Sequence, residues 1–248
     1  MMAEPLLQVK DLVKRFGGLL ATNHLDLDVL PGETLALIGP NGAGKTSLIA
    51  QLQGDLTPDS GSIRFFGKDI TRETAHRRAR MGLARSFQIT SVFPDFSLLG
   101  NVMVSVQSRY GHSFRFWRNT HRDPELTGPA REALEIVGLA QPNRRAADVS
   151  HGERRQLELA MVLAMKPRLL LLDEPMAGMG REDSVQMTKL LHELKRKYAI
   201  LLVEHDMNAV FALADRVTVL VAGQAIATGS PDDVRADPRV RAAYLGHK

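Results

Sequence analysis

The 248 residues are enough for one substantial core with a smaller lobe grafted on, and 44% hydrophobic with 24% charged residues describes an ordinary globular protein. A net charge of +4 is mild: it tolerates an acidic surface nearby but does not argue for nucleic acid, which is not the expected partner. The absence of cysteine excludes disulfides, thiol nucleophiles and Cys-ligated metals.

The start, Met1-Met2-Ala3-Glu4-Pro5, has no basic region followed by an apolar run, so no signal peptide is expected. No stretch approaches the ~18 apolar residues of a membrane-spanning helix. Any membrane association is therefore expected to go through a partner. Residues 6–13 and 25–29 have strand-like spacing, with Phe16-Gly17-Gly18 as the turn region between them. Phe16 reads either as a partly buried core residue or as a ring that stacks on a purine.

Pro31-Gly32-Glu33 turns the chain into the apolar stretch Thr34-Leu35-Ala36-Leu37-Ile38. Next comes Gly39-Pro40-Asn41-Gly42-Ala43-Gly44-Lys45-Thr46-Ser47, and then the helical Leu48–Gln53. Strand, glycine-rich turn and helix start are the context in which GxxxxGK[ST] carries meaning. The glycines let successive backbone N–H groups face one anion, and the following helix adds its positive end. Lys45 can reach β- and γ-phosphates, and the Thr46 hydroxyl can ligate Mg²⁺.

Ser62–Ile70 reads as a hairpin strand turning at Gly67, and residues 72–81 are helical in composition. The densest basic run, Arg77-Arg78-Ala79-Arg80, reads as a solvated helix face. Gly82–Gln88 looks like a strand running into a loop that ends on a polar residue. Residues 101–107 and 129–137 carry apolar residues at helical spacing. Between them Tyr110, Phe114, Phe116 and Trp117 lie in a basic segment, either an irregular connection or a docking surface.

Ser150-His151-Gly152-Glu153 opens a helix with a capping box, Ser150 at the N-cap and Glu153 three residues on. After Pro167, the run Leu169–Leu172 shows no alternation, which suits a strand buried on both faces of a parallel sheet. It emerges at Asp173-Glu174, the end at which α/β sheets keep ligands. One acid there can hold Mg²⁺, and a second can polarise a water for attack on a γ-phosphate. Residues 184–197 form an amphipathic helix expected to turn Val185, Leu190, Leu191 and Leu194 inward. Ala199–Val203 is another buried strand, and His205 at its exit is either a surface histidine or a hydrogen-bond donor to a phosphate. A short helix over 207–214, paired strands about Ala222-Gly223 and a helical tail from Asp232 complete the chain.

Taken together and in this order, the motifs resemble the nucleotide-binding subunit of ABC transporters, over nearly the whole chain. The resemblance implies an α/β P-loop NTPase fold of the ABC ATPase type: a mostly parallel core sheet, an antiparallel β lobe and a helical lobe. It implies one nucleotide-binding domain over 1–248, with a helical subdomain at about 89–145 and a helical tail at about 231–248. By the same resemblance Phe16 is the adenine-stacking aromatic, Gly39–Thr46 the Walker A loop, and Gln88 the Q-loop glutamine near Mg²⁺. Ser150 and Gly152 belong to the signature motif, Asp173 is the Walker B metal ligand, Glu174 the general base and His205 the switch histidine. ATP and Mg²⁺ are the implied ligands. The implied partners are two transmembrane permease subunits, a second ATP-binding subunit whose Ser150 and Gly152 cover ATP held at Lys45, and, indirectly, a periplasmic substrate-binding protein. The implied location is the cytoplasmic face of the inner membrane.

His151 departs from the usual glycine of the signature, and Gly180 stands where many members carry an aspartate. Within the family, Ala84–Ile89, Arg115-Phe116-Trp117-Arg118, Glu204–Met207 and the ending Asp237-Pro238-Arg239-Val240 with Ala243-Tyr244-Leu245-Gly246 resemble the LivG-like ATPases of branched-chain amino acid importers. The Ser-His-Gly signature and Met176-Ala177-Gly178-Met179 also resemble urea and short-amide import ATPases. A soluble ABC ATPase without a permease is the rival from another class. Such proteins carry two cassettes or a long coiled-coil insertion, and neither is present. A non-hydrolysing structural subunit is disfavoured by the intact catalytic set.

Overall fold

The computed structural model describes residues 4–86, 92–110 and 123–245. Two sheets organise them. Strands β1 (Leu7–Phe16) and β2 (Leu19–Val29) form an antiparallel hairpin, which β4 (Ser60–Phe65) and β5 (Lys68–Asp69) extend in the order β2-β1-β4-β5. The second sheet holds β3 (Thr34–Ile38), β6 (Leu83–Arg85), β7 (Leu169–Asp173), β8 (Ala199–Val203), β9 (Arg216–Val221) and β10 (Gln224–Gly229). Its order is β10-β9-β3-β8-β7-β6, parallel throughout except for the β9–β10 hairpin.

The run of leucines in β7 is explained by what covers each face. Leu169 and Leu171 join the apolar cluster under the antiparallel sheet and helix α1 (Lys45–Gln53), together with Leu35, Leu37, Leu201 and Val203. Leu170 and Leu172 point the other way, into a cluster with Ile200 and Leu202. That second face is covered by α3 (Leu98–Tyr110), α4 (Pro124–Ile136), α5 (His151–Ala164), α6 (Arg181–Leu194) and α7 (Met207–Leu213). Side chains alternate as in any strand, but both sides are dry, so alternation in polarity has no purpose. Each such leucine contributes about 1.5–3 kcal/mol relative to leaving it in water.

Two expectations need correction. Arg78, on α2 (Ala75–Met81), is 1% exposed rather than solvated. Its guanidinium donates to the carbonyls of Gln51 (2.6 Å), Leu52 (2.7 Å), Thr71 (2.9 Å) and Glu73 (3.0 Å). The first two are carbonyls of the last turn of α1, which have no acceptor role inside their own helix, and a cation there also complements the helix dipole. Val185 faces outward, 49% exposed, and Met187 takes the inward position with Leu191 and Leu194. α6 begins at Arg181, and its inward stripe runs 187, 191, 194 at helical spacing, a rotation that leaves 185 outside.

The tail forms two short helices, α8 (Pro231–Ala236) and α9 (Pro238–Leu245), interrupted before Pro238, which cannot continue the preceding hydrogen-bond ladder. Val234 and Val240 pack it against β3 and β9.

Candidate active site

β3 is buried over its whole length and delivers the chain to the glycine-rich turn. Gly39 (φ 155°) and Gly44 (φ 103°) cannot be exchanged for larger residues. A Cβ would lie 2.1 Å from the Leu220 carbonyl oxygen at the first and 2.1 Å from the Ala21 carbonyl oxygen at the second. The loop is tied down by Ala43 N–H to the Pro40 carbonyl (3.2 Å) and Gly223 N–H to the Ala43 carbonyl (2.9 Å). Gly44 then caps α1 without any side-chain hydrogen bond, so the first-turn N–H groups are not taken up by a cap. That is a helix N-terminus suited to an anion.

Lys45, 6% exposed, donates from Nζ to the carbonyls of Gly39 (2.7 Å) and Pro40 (3.1 Å), which leaves one of its three N–H for an incoming oxygen. Burial draws its pKa below the usual lysine range, while the charges of Glu174 and Asp173 pull it back up. Two acids thus sit near enough to the lysine to be felt electrostatically.

Those acids come from the end of β7. In β7, Asp173 aligns with Val203 of β8, so the chains leave the sheet side by side. Asp173 is buried, and its Oδ2 accepts from Arg85 Nη2 at 2.7 Å; Arg85 also donates to Gln53 Oε1 at 2.8 Å. Glu174 holds a left-handed backbone conformation (φ 51°), a conformation that costs a non-glycine residue about 1–3 kcal/mol and persists where surroundings over-determine it. Here its N–H donates to the Val203 carbonyl at 2.9 Å. Its Oε1 lies 2.9 Å from His205 Nε2, both side chains being nearly half exposed.

One cavity of about 250 Å³ is lined by Phe16, Leu19, Ala21, residues 41–47, Glu174 and His205. It therefore gathers Phe16, Asn41, Gly42, Ala43, Gly44, Lys45, Thr46, Ser47 and the Glu174–His205 pair, with Gly39 and Pro40 beneath Lys45. Phe16 is 50% exposed and not a core residue; Lys14 Nζ lies 5.7 Å from its ring centroid. Ser150 and Gly152 are not among these. They line a separate cavity of about 50 Å³ with Glu153, Met179 and Asp183. The capping box is formed: Ser150 Oγ accepts the Glu153 N–H (3.2 Å), and Glu153 Oε2 accepts the Ser150 N–H (2.8 Å). Gly152 lies so near Asp183 that a Cβ would meet its carboxyl at 2.7 Å. Gln88 and the Phe114–Trp117 segment lie outside the described residues.

A larger cleft, about 560 Å³, lies between Arg168 and Ala199 at the opposite ends of β7 and β8, and none of these candidates line it. Ligands of parallel sheets sit beyond the strands' carboxyl ends, so the smaller cavity is the candidate site. Sequence reasoning missed two charged residues beside it, Arg85 and Glu204. Both had the same signal: a charge at the C-terminal end of an apolar strand.

The phosphate-loop oxygens also bear on Mg²⁺. No group of three or more His, Cys, Asp or Glu able to hold a metal occurs among the described residues. The Thr46 hydroxyl and the Asp173 carboxylate are oxygen donors, and Mg²⁺ is commonly held by one or two protein oxygens plus substrate phosphates and water. The donor set fits that mode.

Comparison with known proteins is consistent with this geometry. The family model described as ABC transporter matches residues 22–177, more than half of the chain, and the one described as branched-chain amino acid ATP-binding cassette transporter matches residues 226–248. The chain is 35% identical over 255 residues to the high-affinity branched-chain amino acid transport ATP-binding protein LivG of Escherichia coli, covering 99% of each. It is 36% identical to the corresponding protein BraF of Pseudomonas aeruginosa, again covering 99% of each. The crystal structure of an ATP-binding cassette of an ABC transporter in its ADP conformation superposes with a TM-score of 0.87 at 27% identity, covering 99% of this chain and 100% of that one. A phosphate loop, Glu174 and His205 around one cavity, with Asp173 buried next to Glu174 on the chain, in a chain so matched, establish that this protein belongs to the ATP-binding cassette family of ABC transporters.

Proposed function

We propose that the chain is the ATP-hydrolysing subunit of an importer of branched-chain amino acids. The observation that carries the hydrolytic half is the Glu174–His205 pair, 2.9 Å apart, facing the phosphate loop across one cavity. Glu174 accepts a proton from a water whose oxygen attacks the γ-phosphorus in line. The bond from that phosphorus to the bridging oxygen breaks, and ADP and phosphate leave. Lys45 and the loop N–H groups meet the charge spreading over the phosphate oxygens, and His205 orients the Glu174 carboxylate and offers its imidazole to the same charge. Mg²⁺, held by Thr46, Asp173 and by the sequence resemblance Gln88, would neutralise charge on the phosphates. Phe16, half exposed at the cavity wall, supplies a face for the adenine.

Ser150 and Gly152 lie in a cavity apart from Lys45, which supports a composite site: each ATP is held by one subunit and covered by the signature helix of a second. No helix among the described residues is long and apolar enough to cross a membrane. In this reading the subunit is held peripherally by two permease subunits, at the cytoplasmic face, with a periplasmic binding protein delivering cargo, and the likeness to transport ATP-binding proteins supports it. The cargo reading is supported by the LivG and BraF relatives and by the match over residues 226–248.

The test is reconstitution of the chain with its permeases and binding protein in liposomes. ATP-dependent uptake of leucine, isoleucine and valine is expected. Uptake of urea or a short amide in their place would overturn the cargo assignment, and ATP hydrolysis indifferent to permease and binding protein would overturn the transport role.

A further inference from the structure

β8 ends at Val203, and the next residue, Glu204, is buried (5% exposed) although the chemistry above does not use it. Its carboxylate serves two loops. Oε1 accepts the Met176 N–H at 3.1 Å. Oε2 accepts the His205 N–H at 2.8 Å and the Asp206 N–H at 3.3 Å. Met176 lies two residues past Glu174 on the chain leaving β7; His205 and Asp206 begin the chain leaving β8. A buried carboxylate is tolerable only when its oxygens are met, and here backbone N–H groups from both exits meet them. The Glu174–His205 bond, by contrast, joins two side chains nearly half in water, where such a contact holds little by itself.

We propose that Glu204 is a positioning residue: one buried carboxylate that clamps the Met176 and His205–Asp206 backbones to each other and thereby sets Glu174 against His205. This rests on the roles given above to Glu174 and His205. The clamp acts through the backbone, so it touches neither ATP nor the attacking water. Its loss leaves the phosphate loop intact and loosens only the pair.

The test is Glu204→Gln. Glutamine keeps the size but offers one oxygen and one NH₂. With its oxygen on Met176, the NH₂ meets the His205 N–H donor against donor; reversed, the Met176 side opens. Expected is a fall in kcat of about 10- to 100-fold, the cost of displacing a reacting group by about 1 Å, with ATP affinity within about twofold of wild type. His205→Ala should then cost much less in the Glu204→Gln background than in the wild type, because both changes act through one pair. Wild-type kcat in Glu204→Gln, or a His205→Ala penalty that multiplies unchanged, overturns the clamp. If Glu204→Gln does not fold, Glu204→Asp, which keeps the charge and is one methylene short of spanning both loops, is judged by the same readouts. Glu174→Gln measured in parallel separates the two failures. Normal turnover in it defeats the assignment of the pair, whereas slow turnover in it with normal Glu204→Gln defeats the clamp alone.

Discussion

Arg78→Met removes a guanidinium from beneath the phosphate-loop helix and leaves an apolar stem of similar length in its place. The four carbonyls it serves fall into two classes. Those of Gln51 and Leu52 are buried with their hydrogen bonds, and those of Thr71 and Glu73 are part-exposed and can turn to water. A buried acceptor left unmet costs about 1–3 kcal/mol, so the buried two account for about 2–6 kcal/mol. Methionine offsets part of this because it carries no cation to desolvate, whereas burial of the Arg78 charge is unfavourable and draws its pKa down. The expected loss is about 3 kcal/mol, read as a drop in the urea midpoint with an unchanged m-value. ATP affinity should fall with it only as far as the last turn of α1 frays, because Lys45 and Thr46 sit at the other end. A change below about 0.5 kcal/mol, the range of an ordinary surface substitution, would refute the buried-anchor reading.

Three further outcomes follow from particular contacts. Gly44→Ala should abolish ATP binding, because its Cβ would lie 2.1 Å from the Ala21 carbonyl oxygen at a φ of 103° and the loop must move; unaltered affinity by calorimetry would count against the loop geometry. Glu153 has its pKa lowered, first by the Ser150 N–H and then by Arg144, so its contribution is present above the usual glutamate pKa and lost as pH falls through the lower folded value. Glu153→Gln, which keeps an acceptor for the Ser150 N–H but loses the charge, should therefore lower the melting temperature at pH 7 while the gap to wild type closes below about pH 4; a gap that persists in acid would contradict the role given to the Glu153 charge. Val185→Ser should leave stability within about 0.5 kcal/mol, as an outward position requires, whereas Met187→Ser should cost several times that.

The strand–loop–helix around Lys45 was legible because each local choice served one end: an apolar strand, glycines where the backbone must pass close to carbonyls, then a helix. β7 was legible too, since four leucines in a row admit few readings beyond a strand covered on both faces. Arg78 was not. Its neighbours Arg77 and Arg80 are ordinary surface cations, and nothing in a run of three arginines says which one lies under a helix folded from residues 45–53. Val185 was misassigned against its own spacing: nine residues, or about two and a half turns, separate it from Leu194, which puts it on the face opposite the stripe of Met187, Leu191 and Leu194. Glu204 and Arg85 carried a readable signal, a charge ending an apolar strand. Their partners, the Met176 N–H and Asp173, lie far off in sequence, and only the parallel register of β6, β7 and β8 brings them together. Phe16 shows the limit from the other side, since one aromatic before a Gly-Gly turn fits core or stacking equally until its exposure is known.

The central claim is that Glu174, held against His205 over the phosphate loop, takes the proton from the attacking water. Single-turnover hydrolysis by Glu174→Gln, with ATP affinity measured on the same preparation, tests it most directly. Removal of a general base should slow hydrolysis by about 10²- to 10⁴-fold, with ATP still bound at close to wild-type affinity because Lys45 and the loop N–H groups are untouched. Hydrolysis within a few-fold of wild type would contradict the account.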